Sequence, residues 1–146
     1  MNNENNRIKV ALYCRIASGA SQDQMGLEVQ EQKLIDYAEK KGYQIKYRFK
    51  EQAGGLTADR EMLNLIKNIS PSSVNRLLVT DVSRISRDLM KADAFIQELK
   101  KSGIEIEFSE HPDYIPWTEH AQKLMVQMIK ETNVNKKRKK SKRLRA

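Results

Sequence analysis

Several kinds of residue are scarce in this chain. Its single cysteine, Cys14, cannot close an internal disulfide, and two histidines, His111 and His120, complete no ligand set for structural zinc. Disulfide scaffolds and zinc modules are thereby excluded. No apolar run approaches the roughly 18 residues that a membrane span requires, and the opening MNNENN lacks a basic stretch leading into an apolar segment. No contact with a membrane is expected, and a reducing, cytoplasmic setting follows. The 146 residues bound the chain to one ordinary domain with room for an appendage. No internal repeat or low-complexity tract interrupts its body.

Positive charge is present but unevenly spread. Eight of the 27 basic residues lie from Lys136 onward, in KKRKKSKRLRA, leaving 19 against 19 acids in the body. The whole net charge of +8 therefore belongs to the tail. Lys136, Lys137, Arg138, Lys139, Lys140, Lys142, Arg143 and Arg145 cannot bury an apolar face, so residues 132–146 are expected to be a disordered basic tail, suited to phosphates of DNA or RNA or else a solubilising end or localisation signal. Residues 1–7 are likewise expected to be disordered, with the folded domain spanning 8–131.

That domain alternates between two hydrophobic periods. Strands are expected at Ile8 to Tyr13, Tyr43 to Phe49, Arg76 to Asp81 and Ile104 to Phe108. Helical spacing runs from about Glu28 to Lys41, through Met62, Leu63, Ile66 and Ile69, and through Leu89, Ala92, Phe95, Ile96 and Leu99. A last amphipathic helix carries Trp117, Ala121, Leu124, Met125 and Met128, with Thr118 as a cap; Asp59 or Thr57 could cap the second. Strands alternating with helices imply an α/β fold, a mainly parallel sheet of at least four strands flanked by helices. Ligands of such sheets sit beyond the carboxyl ends of the strands. The segments there, CRIASGASQDQ, EQAGGLTADR and DVSRISRD, interleave Arg15, Arg60, Arg84 and Arg87 with Ser18, Ser21, Thr57, Ser83 and Ser86. If Arg84 and Arg87 open a helix, they share a face. Guanidinium is permanently charged and planar, so several converging near hydroxyls point to phosphate binding or phosphoryl chemistry.

YCRIAS at Tyr13 to Ser18, GLEVQ at Gly26 to Gln30, TADREMLNLI at Thr57 to Ile66 and SRISRD at Ser83 to Asp88 occur in an order and spacing that resemble the catalytic domain of serine site-specific recombinases, the resolvase and invertase family. The resemblance covers roughly Lys9 to Ile129 and implies a resolvase-like fold and DNA strand exchange. In that family a serine hydroxyl attacks a phosphodiester, leaving a 5′-phosphoserine link and a free 3′-hydroxyl. After subunit rotation within a tetramer, the hydroxyl reverses the step, with no metal or other cofactor. By position, Arg15 matches the arginine of the first motif, Gln30 the glutamine of the first helix, Arg60 the arginine of the second motif, and Arg84 and Arg87 the paired arginines of the third. The implied partners are DNA and other recombinase subunits, as a homo-oligomer (a dimer, or a tetramer in the synapse) or with a different subunit.

Two positions depart from the pattern. The family nucleophile stands two residues after the first arginine, where this chain has Ala17; Ser18 follows one place late. Gln22 lies four past Ser18, the usual spacing of a family glutamine, so a one-residue insertion after Arg15 restores the register. Counted from Arg15 the site is inactive; counted from Gln22 its nucleophile is Ser18. A shift of one residue also turns a strand side chain to the other face, unless the strand bulges or has ended. The second departure is Ser83, where many members carry aspartate. Past Ile129 no second helical pair or zinc ligand is seen, so no sequence-reading module is expected there. Three possibilities stay open: a recombinase acting through Ser18; an inactive relative that binds DNA or recombinase subunits; and an unrelated α/β phosphate-binding or signalling domain.

Overall fold

The computed structural model describes residues 7–17, 26–55 and 60–145, with side chains as far as Asn135. Two compact units are present, Met1–Tyr114 and Ile115–Ala146. In the first, β1 (Lys9–Ile16), β2 (Gln44–Gln52), β3 (Arg76–Val79) and β4 (Glu105–Phe108) form one sheet, and α1 (Leu27–Lys41), α2 (Glu61–Lys67) and α3 (Leu89–Lys101) connect them. The strand order is β2-β1-β3-β4, and every pairing is parallel. The expected strands and helices are thus present, with ends displaced by a few residues.

Alternation along β1 sends its side chains into two apolar layers. Val10, Leu12 and Cys14 pack with Leu34 and Ala38 of α1. Ala11 and Tyr13 face the other way, into a larger cluster with Leu63 and Ile66 of α2 and Phe95, Ile96 and Leu99 of α3. Helices therefore cover both faces, which is why β1 and β3 read as nearly continuous apolar runs. Gly42 ends α1 at φ 74°, a left-handed conformation that favours a residue without a Cβ.

Because β2 lies on one side of β1 and β3 on the other, the chain reverses direction across the sheet between β1 and β3. The carboxyl ends of these two strands border the crevice that ligands of open α/β sheets occupy. β3 pairs with β1 only over Val10–Leu12, so the last residues of β1 extend past the end of its neighbour. Arg15 sits on this overhang.

Two expected caps are corrected. Thr118 lies inside the first turn of α4 (Trp117–Arg145), not before it. α2 begins after Arg60, which makes no side-chain cap; Thr57 and Asp59 lie outside the described residues. α4 also crosses residue 131 and stays helical to Arg145, over the segment expected to be a disordered tail. Lysine and arginine are good helix formers, and no proline or glycine follows Pro116. Once nucleated, a helix gains one hydrogen bond for each residue added. No helix among the described residues is long and apolar enough to cross a membrane.

Candidate active site

Arg15 is only 1 % exposed, at the end of an otherwise apolar strand. An ion placed there must have its hydrogen bonds met. Its Nε donates to Arg84 O at 2.9 Å, Nη1 to Ala53 O at 2.8 Å and Nη2 to Ser83 O at 2.8 Å. The guanidinium thus ties the end of β1 to the loops after β2 and β3. Its backbone points toward the missing part of β3, where Gln30 replaces a strand. Gln30 Oε1 accepts from Arg15 N at 3.1 Å, and its Nε2 donates to Arg15 O at 2.9 Å. Arg84 Nη1 donates to the same carbonyl at 3.0 Å, so Arg15 and Arg84 each bind the other's backbone oxygen.

Arg60 arrives from the start of α2. Its Nε donates to Glu51 Oε1 at 2.9 Å, while Nη2 reaches Tyr13 Oη at 3.0 Å, Arg84 O at 3.0 Å and Ile85 O at 2.8 Å. The Tyr13 hydroxyl in turn donates to Glu51. Burial, with the Glu51 hydrogen bond behind it, pushes the Tyr13 hydroxyl well above its ordinary value, so it stays protonated.

Arg84 closes a 3-10 turn over Val82–Arg84, capped by Asp81, and its Nε lies 3.4 Å from Asp81 Oδ2. Arg87 is exposed and precedes Asp88, the N-cap of α3, which accepts from Met90 N and Lys91 N. The shared helical face expected for Arg84 and Arg87 does not form: the first ends a tight turn and points inward, and the second lies outside the helix and faces out. They are nonetheless electrostatic neighbours. Burial lowers the affinity of Arg15 for its proton, and the charges of Arg60, Arg84 and Arg87 lower it further. Two of these guanidinium groups are paired with carboxylates, Arg60 with Glu51 and Arg84 with Asp81.

The hydroxyls divide. Ser83 donates to Asp81, and Ser86 is fully buried, donating to Gly55 O at 3.3 Å and accepting from Asp88 N at 3.1 Å. Both are committed to the loop. Ser18, Ser21, Gln22 and Thr57 lie outside the described residues. β1 ends at Ile16, so strand alternation does not fix the side on which residues from Ala17 onward project. Cys14 points into the α1 layer, and burial, reinforced by Glu31, pushes its thiol up to about 12. Among the described residues no group of histidine, cysteine, aspartate or glutamate could hold a metal ion.

Sequence patterns did not reveal Gly55, Ala53, Glu51 or Asp81. Gly55 and Ala53 act through backbone carbonyls, which no residue type announces. Glu51 lies near the end of β2 and Asp81 two residues beyond β3, and only the packing of Arg60 and Arg84 against them gives them a role.

The family model described as Resolvase, N terminal domain, matches residues 10–146. This chain belongs to the resolvase family. A curated resolvase from Escherichia coli is 33% identical over 105 residues, covering 70% of this chain and 45% of the relative. The chain thus spans less than half the length of that resolvase. The C-terminal catalytic domain of ISC1926 TnpA, an IS607-like serine recombinase, is 27% identical with a TM-score of 0.59, covering 82% of this chain and 79% of that one. The N-terminal catalytic domain of TP901-1 integrase shares the fold at 22% identity and a TM-score of 0.62, covering 88% and 96% of the two chains. The resolvase-like parallel sheet expected from the motifs is therefore the fold of this domain.

Proposed function

We propose that this resolvase-family domain cuts and rejoins DNA through Ser18. The observation that carries the reading is the wiring of Arg15, Arg60 and Arg84 at the β1/β3 crevice, with Arg87 exposed beside them. In the step envisaged, Ser18 Oγ bonds to phosphorus, the P–O3′ bond breaks, and the proton lost by the serine ends on the departing 3′-oxygen. Rejoining reverses both bonds. Phosphoryl transfer consists mainly of positioning and charge neutralisation, which fixed guanidinium groups supply. Arg87 is assigned the contact with the phosphate; Arg15 and Gln30 hold the scaffold, and Arg60 and Arg84 shape the field. Lys136 to Arg145 are assigned to the DNA backbone. Leu124, Met125, Val126, Met128 and Ile129 are exposed on α4, which supports association of subunits through that helix.

Ala17, in the usual place of the nucleophile, favours a second reading: a relative that binds DNA or recombinase subunits without cutting. Incubation with a pool of nicked duplex oligonucleotides separates the two. An SDS-resistant protein–DNA adduct that is lost in Ser18→Ala is the expected result. An adduct that persists assigns the chemistry elsewhere, and retained DNA binding with no adduct supports the second reading.

A further inference from the structure

Gly55 belongs to the loop after β2 and is buried. A Cβ built on it would stand 2.7 Å from Arg15 Nη2, 3.0 Å from Cζ and 3.1 Å from Nη1. The guanidinium therefore lies against the bare α-carbon. The space, not the backbone, demands glycine: Gly42 and Gly103 are the positive-φ glycines of the described chain, and Gly55 is not among them. Such a clash is ordinarily cheap to relieve by swinging the end of a long side chain away. Here the end is pinned by Ala53 O, Ser83 O and Arg84 O, and a swing large enough to clear a methyl works against those bonds. The same glycine offers its carbonyl to Arg87 N at 2.6 Å and to the Ser86 hydroxyl at 3.3 Å. One residue thus touches the buried arginine through its α-carbon and the segment bearing the exposed arginine through its oxygen.

We infer that Gly55 is a positioning residue, a contact plate that sets Arg15 and Arg87 in mutual register. Its consequence for DNA rests on the recombinase reading; the packing does not. A methyl added at Gly55 displaces the Arg15 guanidinium by a fraction of its own width and carries the loop along. Misplacements of about 1 Å can cost about 10²-fold in rate. Gly54 next door supplies the control, because a Cβ there meets nothing within 4 Å.

The test compares Gly55→Ala with Gly54→Ala in the full chain by two readouts. The first is the NMR signal of the Arg15 Nε–H group, assigned by its disappearance in Arg15→Lys. Gly55→Ala is expected to shift or broaden it, and Gly54→Ala to leave it in place. The second is the rate of adduct formation on nicked duplex oligonucleotides, expected to fall about 10²-fold in Gly55→Ala and less than twofold in Gly54→Ala. An unmoved Arg15 signal, or equal rates for the two variants, overturns the inference. If the wild-type chain forms no adduct, the recombinase reading fails alone and the NMR signal still decides on Gly55. Should Gly55→Ala fail to fold, it is expected to fold once combined with Arg15→Lys, whose slimmer end leaves room for the methyl. Unfolding in both backgrounds would place the role of Gly55 elsewhere and also overturns the inference.

Discussion

Arginines of similar appearance in the sequence hold different offices in the structure, and substitution should separate them. Arg87 is exposed, so Arg87→Ala is expected to change unfolding free energy by no more than about 0.5 kcal/mol. Its loss should nonetheless slow adduct formation by about 10²–10³-fold, the usual cost of removing one donor to a developing oxyanion. Gln30 is the opposite case. It is fully buried and answers both backbone groups of Arg15, so Gln30→Ala leaves an unpaired N–H in the interior. A loss of about 1–3 kcal/mol is expected, read from urea denaturation. Arg15, Arg60, Arg84 and Gln30 were all legible in the sequence from their motifs. What they bond to was not, because carbonyls of Ala53, Ser83 and Arg84 become acceptors only when three distant loops meet. For the same reason the sequence does not show that Asp81 engages the Ser83 hydroxyl and Gly55 O the Ser86 hydroxyl.

Among the elements, the helix starts and ends respond to local chemistry. Asp88 caps α3 by accepting two backbone N–H groups, and Asp88→Ala should cost about 1 kcal/mol, seen as a lower urea midpoint. A second polar group ties α1 to the far edge of the sheet: Glu107 of β4 accepts from Tyr37 and Tyr43, and Arg76 Nη1 lies 2.7 Å from it. Burial pushes the Glu107 carboxyl up, but the two tyrosine hydrogen bonds and Arg76 outweigh it and hold the carboxyl below its ordinary value. A depressed folded pKa stabilises the fold above the ordinary carboxylate range, and that contribution fades as pH falls through the folded value. Urea midpoints of the wild type are expected to drop between pH 7 and pH 3, and those of Glu107→Gln to start lower and drop less. Element types were readable because alternation and helical spacing are long-range patterns. The 3-10 turn at Val82–Arg84 was not, since three residues carry no period. The helical course of the basic segment was missed for a different reason. A charge run lacks an apolar face, yet α4 needs only propensity and a preceding nucleus to propagate.

On the scale of the whole molecule, parallel pairing followed from the alternation of strands and helices, whereas the order β2-β1-β3-β4 did not. Alternation fixes handed crossovers but not the side of β1 on which β3 is laid. Only that choice puts Arg15 and Arg84 at one crevice. With the body neutral and eight basic residues from Lys136 onward, DNA affinity should depend steeply on salt. A plot of log K against log salt approaches a slope of about −7 if all eight meet phosphates. Replacing those eight residues by glutamine should flatten it, as measured by fluorescence anisotropy on a duplex. The burial of Cys14 beneath α1 has a practical corollary. A sole thiol with so little tendency to ionise is expected to ignore alkylating reagents while the helix stays seated, and to react at once in urea. Its modification rate is then a built-in clock for the parting of α1 from the sheet, readable by mass spectrometry without any introduced label.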